Sequence, residues 1–78
     1  MYHVKSLSHL GEGETGIVSN ILSTGSIRRR LQDIGLIEGT NVKCMQKSPS
    51  GDPVAYNIRG AVIALRTEDS GNILIEMN

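Results

Sequence analysis

Nine glycines are spread along 78 residues, and most fall between short apolar segments instead of pooling in one flexible tract. Glycine reaches positive φ without a Cβ clash, so this spacing reverses the chain repeatedly and favours short elements. No tandem repeat, charge block or linker-like stretch divides the sequence, so residues 1–78 read as a single domain. A domain of this size buries only about 60% of the surface its unfolded chain exposes, which predicts a thin core.

The apolar segments carry two periods. Ile17 to Leu22 reads as a first strand, with Ile17, Ser19 and Ile21 on one side and Val18, Asn20 and Leu22 on the other. Ile27, Leu31 and Ile34 then recur at four and three residues, a single helical stripe, while Arg28, Arg29 and Gln32 face water. Ser26 suits the N-cap, and Gly35 suits the left-handed exit, after which Leu36 folds back towards Leu31 as in a Schellman closure. Glu38 and Gly39 suit a type II turn. Asn41 to Lys47 alternates Val42 and Cys44 with polar positions, and Ser48 to Pro53 reads as a hairpin connection. Val54 to Ile58 and Ala61 to Leu65 follow as strands about a bend at Arg59 and Gly60. Thr67 to Asn72 reads as a turn or one helical turn, and Ile73 to Met77 as a last strand. Four or five strands with one inserted helix predict a mainly β, antiparallel barrel or roll, because closure removes edges that a small domain covers poorly.

Composition narrows the chemistry. Eight Lys plus Arg balance eight Asp plus Glu, so no whole-domain charge draws the chain onto nucleic acid or anionic lipid. Two tyrosines without Phe or Trp offer little stacking surface for bases. A single cysteine, Cys44, excludes an intramolecular disulfide framework and fits a reducing compartment. Met1 to Leu10 lacks an apolar core of signal-peptide length, and no segment approaches the roughly 20 apolar residues of a membrane span. The expectation is a cytoplasmic protein without direct membrane insertion.

No motif for catalysis or metal binding emerges. His3, His9 and Cys44 are the soft donors, and no compact ligand spacing joins them; the histidines read as surface or terminal side chains and Cys44 as core-facing. The carboxylates are dispersed, and Ser6, Ser8, Ser48 and Ser50 lack a nucleophile elbow. Gly11, Gly13 and Gly16 lack the pattern of a phosphate loop and read as a turn before the first strand. The reading is not an enzyme, with no cofactor and no metal site. Arg28, Arg29 and Arg30 form the densest positive feature and suit an acidic protein partner, although Arg30 alternatively lays its stem along the helix flank while Arg28 and Arg29 stay solvated.

One resemblance spans almost the whole chain. It begins with Leu7, Leu10 and Gly16-Ile17-Val18, and is strongest over Arg29-Arg30-Leu31-Gln32-Asp33-Ile34-Gly35-Leu36-Ile37-Glu38-Gly39. It continues through Gly51-Asp52-Pro53, Arg59-Gly60 and Ala64-Leu65-Arg66 to the strand Ile73 to Met77. The chain thereby resembles the FeoA family, the small accessory proteins of bacterial ferrous iron transport. The resemblance implies a small SH3-like barrel with a short inserted α-helix, and contact with FeoB, a membrane ferrous iron transporter with a cytoplasmic G domain. It implies a location at the inner face of the membrane through that transporter. Arg28, Arg29, Gln32, Leu36, Glu38 and Gly39 become the candidate partner-binding residues, a surface made of the helix and the whole turn from Leu36 to Gly39, with Leu31 and Ile34 holding the helix to the barrel. FeoA-like domains also resemble the C-terminal SH3-like modules of metal-dependent repressors, so the alternative is a metal-responsive regulatory module that binds another protein. Self-association has no signal in either direction.

Overall fold

Short apolar alternations become short strands. The computed structural model describes residues 3–77. In chain order they form β1 (His3–Ser6), a 3-10 turn (Leu7–His9), β2 (Thr15–Ile21), α1 (Gly25–Asp33), β3 (Asn41–Lys47), β4 (Val54–Ile58), β5 (Ala61–Leu65), α2 (Thr67–Ser70) and β6 (Ile73–Met77). The strands make one six-stranded sheet in the order β1-β6-β2-β3-β4-β5, antiparallel throughout.

The sheet is open, which corrects the expected SH3-like barrel. Among the described residues β1 pairs only with β6 and β5 only with β4, so both outer strands keep a free edge there. Closure would need a ladder between β1 and β5. The core is covered instead by inserted segments: Leu7 and Leu10 around the 3-10 turn, Leu31 of α1 and Leu36 after it are all fully buried. These four leucines supply the apolar cover that a closing strand pair would otherwise give.

Strand faces follow the two-residue period wherever the ladder is regular. Val42 and Cys44 of β3, Val54, Tyr56 and Ile58 of β4, and Ile73 and Ile75 of β6 point into the core, as alternation predicts. β2 departs from it. The predicted faces set Val18 against Ile21, yet both are buried, because the register with β6 shifts between Val18 and Asn20. A bulge adds one residue and so inverts the parity of the positions beyond it. β1 lies outside the predicted strands; it carries one apolar residue, Val4, and that side chain is 54% exposed.

α1 starts at Gly25 with Thr24 in the N-cap position and no side-chain capping bond there, so Ser26 lies inside the first turn and is not the cap. The exit is as expected. Leu36 N–H donates to the Leu31 carbonyl at 3.0 Å and Gly35 N–H to the Gln32 carbonyl at 3.0 Å, the two bonds of a Schellman motif. Gly35 holds φ at +106°, a value that a residue with a Cβ adopts only under strain. Thr40 N–H then donates to the Ile37 carbonyl at 3.1 Å with Gly39 at φ +92°, which is the expected turn. Glycines 11 and 13 do lie in a turn, closed by Glu14 N–H on the Gly11 carbonyl at 2.9 Å, whereas Gly16 lies inside β2. The β4–β5 connection is the two-residue turn Arg59-Gly60, both at positive φ, which matches the twist of a hairpin.

Candidate partner-binding surface

A side-chain hydrogen bond ties the arginine-rich helix to the sheet. Arg28 Nη1 donates to the Ile21 carbonyl at 2.7 Å, across the end of β2, so Arg28 is half-buried and not freely solvated. Beside this bond, α1, β2 and the turn after α1 enclose a hollow of about 220 Å³ lined by Val18 to Ile21, Arg28, Gln32, Ile37 and Glu38. Three of the predicted residues, Arg28, Gln32 and Glu38, thus meet around one depression with a cation, an amide and a carboxylate.

The other predicted residues sit differently. Gly39 is exposed in the turn and its N–H donates to the Val18 carbonyl at 2.8 Å, which clamps the turn to β2. Arg29 is exposed but does not line the hollow. Leu36 is fully buried. Its side chain anchors the helix exit beside Leu31 and offers no surface to a partner. Ile37, inside the expected contact turn from Leu36 to Gly39, is 45% exposed and lines the hollow.

Arg30 does not lie along the helix flank; its Nη2 pairs with Asp69 Oδ2 at 3.0 Å, joining α1 to α2. Ile27, expected on the buried stripe, is 45% exposed. It lines a larger groove of about 610 Å³ between α1 and β5, together with Ile34, Ile63 and Leu65.

Cys44, Tyr56 and the amides of the first turn are engaged internally. Cys44 is buried on β3, and burial pushes its thiol pKa up. Tyr56 is buried on β4, its hydroxyl donating to the Leu7 carbonyl at 3.4 Å, and burial likewise raises its pKa. Gly11 N–H donates to Glu14 Oε1 at 2.6 Å and Gly13 N–H to the Cys44 carbonyl at 2.8 Å, so these amides face the protein's own acceptors. His9 is exposed, while the side chain of His3 lies outside the described residues. Among the described residues no group of three or more His, Cys, Asp or Glu converges. No helix there is long and apolar enough to cross a membrane.

Comparison with known proteins places this geometry. The family model described as FeoA domain matches residues 5–77. The chain is 31% identical over 71 residues to the Fe(2+) transport protein A/Fe(2+) transporter FeoB fusion protein of Porphyromonas gingivalis, covering 91% of this chain and 8% of that relative. It therefore spans less than a tenth of that relative's length. The solution structure of a FeoA-like protein from Clostridium acetobutylicum superposes with a TM-score of 0.89 at 30% identity, covering 99% of this chain and 90% of that one. A manganese-dependent transcriptional repressor superposes with a TM-score of 0.87 at 16% identity over all of this chain and 44% of its own, a likeness of fold alone. With a family match that runs from β1 to the end of β6, this chain belongs to the FeoA family.

Proposed function

We propose that this chain is an accessory protein of bacterial ferrous iron uptake that acts through contacts with a FeoB-like membrane transporter. As a member of the FeoA family it is a non-catalytic accessory domain, so the chemistry of transport belongs to its partner. The observation that carries the reading is the fusion: in the Porphyromonas gingivalis relative, a segment similar to this chain is part of one polypeptide with a FeoB transporter. Covalent linkage raises effective concentration, which is useful when two modules must meet to act. The residues of this chain meet the transporter by surface complementarity, at the cytoplasmic face of the membrane.

The contact we assign is the depression lined by Arg28, Gln32 and Glu38, extended by exposed Arg29, Ile37 and Gly39. Leu36 supports it from below. Ile37 supplies apolar area and the charged and amide groups around it supply orientation, the division of labour found in protein interfaces. The proposed effect is on the transporter's nucleotide cycle or assembly, exerted without holding iron.

Binding of the full chain to its detergent-purified cognate transporter, with and without guanine nucleotide, tests the reading. Nucleotide-sensitive binding is expected, with no stable Fe²⁺ binding by the chain alone under anaerobic conditions. Absence of association, together with unchanged iron uptake after removal of the chain, overturns it.

A further inference from the structure

Among the described residues β5 ends the sheet and is hydrogen-bonded on one side only, to β4. Its two-residue connection makes Ile58 and Ala61 the closing pair, so the antiparallel alternation turns the amides and carbonyls of Val62 and Ala64 towards the free edge. The strand reads Ala-Val-Ile-Ala-Leu and pairs in unbroken register. It has no charge, proline or bulge, the devices with which edge strands block further pairing.

The groove of about 610 Å³ runs along this edge. Ile63, Ala64 and Leu65 all line it. Successive strand residues point to opposite faces, so three in a row border one groove only where it follows the strand's edge. Ile27 and Ile34 of α1 contribute aliphatic surface to the same groove. An extended peptide satisfies both sides, its backbone pairing with β5 and alternate side chains packing on α1.

Charge at the ends narrows the choice. Arg59 and Arg66 flank β5 and are exposed, and among the described residues the ion pair formed is Arg30 with Asp69. Glu68 is the one carboxylate left on the groove's rim. Two free guanidinium groups at the strand ends suit carboxylates at the ends of the incoming segment. A second copy of this chain fits poorly: pairing two β5 edges about Ile63 sets Arg66 of each copy opposite Gly60 of the other, next to Arg59, with like charges adjacent at both ends.

We infer that the β5 edge, bordered by Ile27 and Ile34, takes up an extended apolar segment with acidic ends from the transporter as a seventh strand. This contact rests on the proposed partnership and is separate from the depression at Arg28, Gln32 and Glu38.

Amide hydrogen exchange on the full chain, alone and with the detergent-purified cognate transporter, tests it. Exchange at Val62 and Ala64 is expected to slow about tenfold or more on binding. Val62→Pro removes an outward-facing N–H but no ladder donor, and is expected to weaken binding about tenfold. Arg66→Glu, on an exposed side chain, is expected to weaken it similarly and keeps the test sharp if Val62→Pro does not fold. Binding with unchanged exchange at these amides overturns the inference and leaves the partnership standing. No binding at all overturns both. Protection of the same amides in the chain alone, growing with concentration, assigns the edge to self-pairing and also overturns it.

Discussion

The side chain of Arg59 lies against the backbone of Gly35, so that a Cβ on Gly35 would stand 2.7 Å from Arg59 Cδ. The β4–β5 turn thus meets the exit of α1 at a residue that has no side chain. Filling that position carries two costs, and they differ in size. Arg59 is flexible and exposed and can swing away, whereas φ of +106° at Gly35 cannot change without undoing the Schellman bonds. Gly35→Ala is therefore expected to destabilise the fold by about 1–3 kcal/mol. Adding Arg59→Ala should recover little of it. Urea midpoints at unchanged slope measure both values.

Leu36 and Glu38 separate support from contact. Leu36 is fully buried, and Leu36→Ala is expected to cost about 2–5 kcal/mol in unfolding experiments. Glu38 is exposed beside the same turn, and Glu38→Ala should stay within about 0.5 kcal/mol. A loss of transporter binding from Glu38→Ala in a normally stable protein reads as lost contact. The same loss from Leu36→Ala has to be judged against its stability.

Arg28 and Arg29 are neighbours with different employment. Arg28 donates to the Ile21 carbonyl at 2.7 Å, so Arg28→Ala is expected to lose about 1–2 kcal/mol of stability as well as a charge. Arg29→Ala should be close to neutral for the fold, and Arg29→Glu should lower transporter affinity without moving the thermal midpoint. Calorimetric titration alongside thermal unfolding distinguishes the two positions.

Arg30 and Asp69 join α1 to α2 at 3.0 Å, with the Arg30 side chain 64% exposed. Solvent screens such a pair, so a double-mutant cycle with Arg30→Ala and Asp69→Ala is expected to give a coupling of about 0.2–1 kcal/mol that shrinks with salt. A coupling of several kcal/mol would show that the two helices depend on this bridge.

Burial of Cys44 and Tyr56 predicts the alkaline limit of stability. Their ordinary pKa values are 9.0 and 10.0, and burial raises both in the folded chain. Above about pH 9 the unfolded chain gives up these protons before the folded chain does, so the unfolded state binds fewer protons and stability falls as pH rises. Below about pH 9 this contribution is intact. Urea unfolding from about pH 7 to about pH 11 should show the decline, and Cys44→Ala should remove its first part while lowering stability at neutral pH. The thiol should also react slowly with a disulfide reagent until denaturant is added.

Local chemistry determined the parts of the fold that a few neighbouring residues decide. The stripe at Leu31 and Ile34, the exit at Gly35 and the return of Leu36 are encoded within six consecutive residues, because only glycine reaches that φ cheaply and only an apolar residue there reaches the core. The alternations in β3, β4 and β6 were legible for the same reason: their register with neighbouring strands keeps a two-residue period over the buried positions. The grouping of Arg28, Gln32 and Glu38 was legible in part, since helical spacing sets the first two on one face. Tertiary structure alone decided the rest. The bulge in β2 is a property of its pairing with β6, β1 is a strand because β6 accepts it, and Arg28 is tied down because β2 ends within its reach. Whether the sheet closes depends on strands far apart in the chain, and here Leu7, Leu10, Leu31 and Leu36 cover the core while β1 and β5 remain edges among the described residues. Periodicity reports which face of a strand is apolar. Which strand lies beside it, and whether any does, is fixed by packing among residues far apart in the chain.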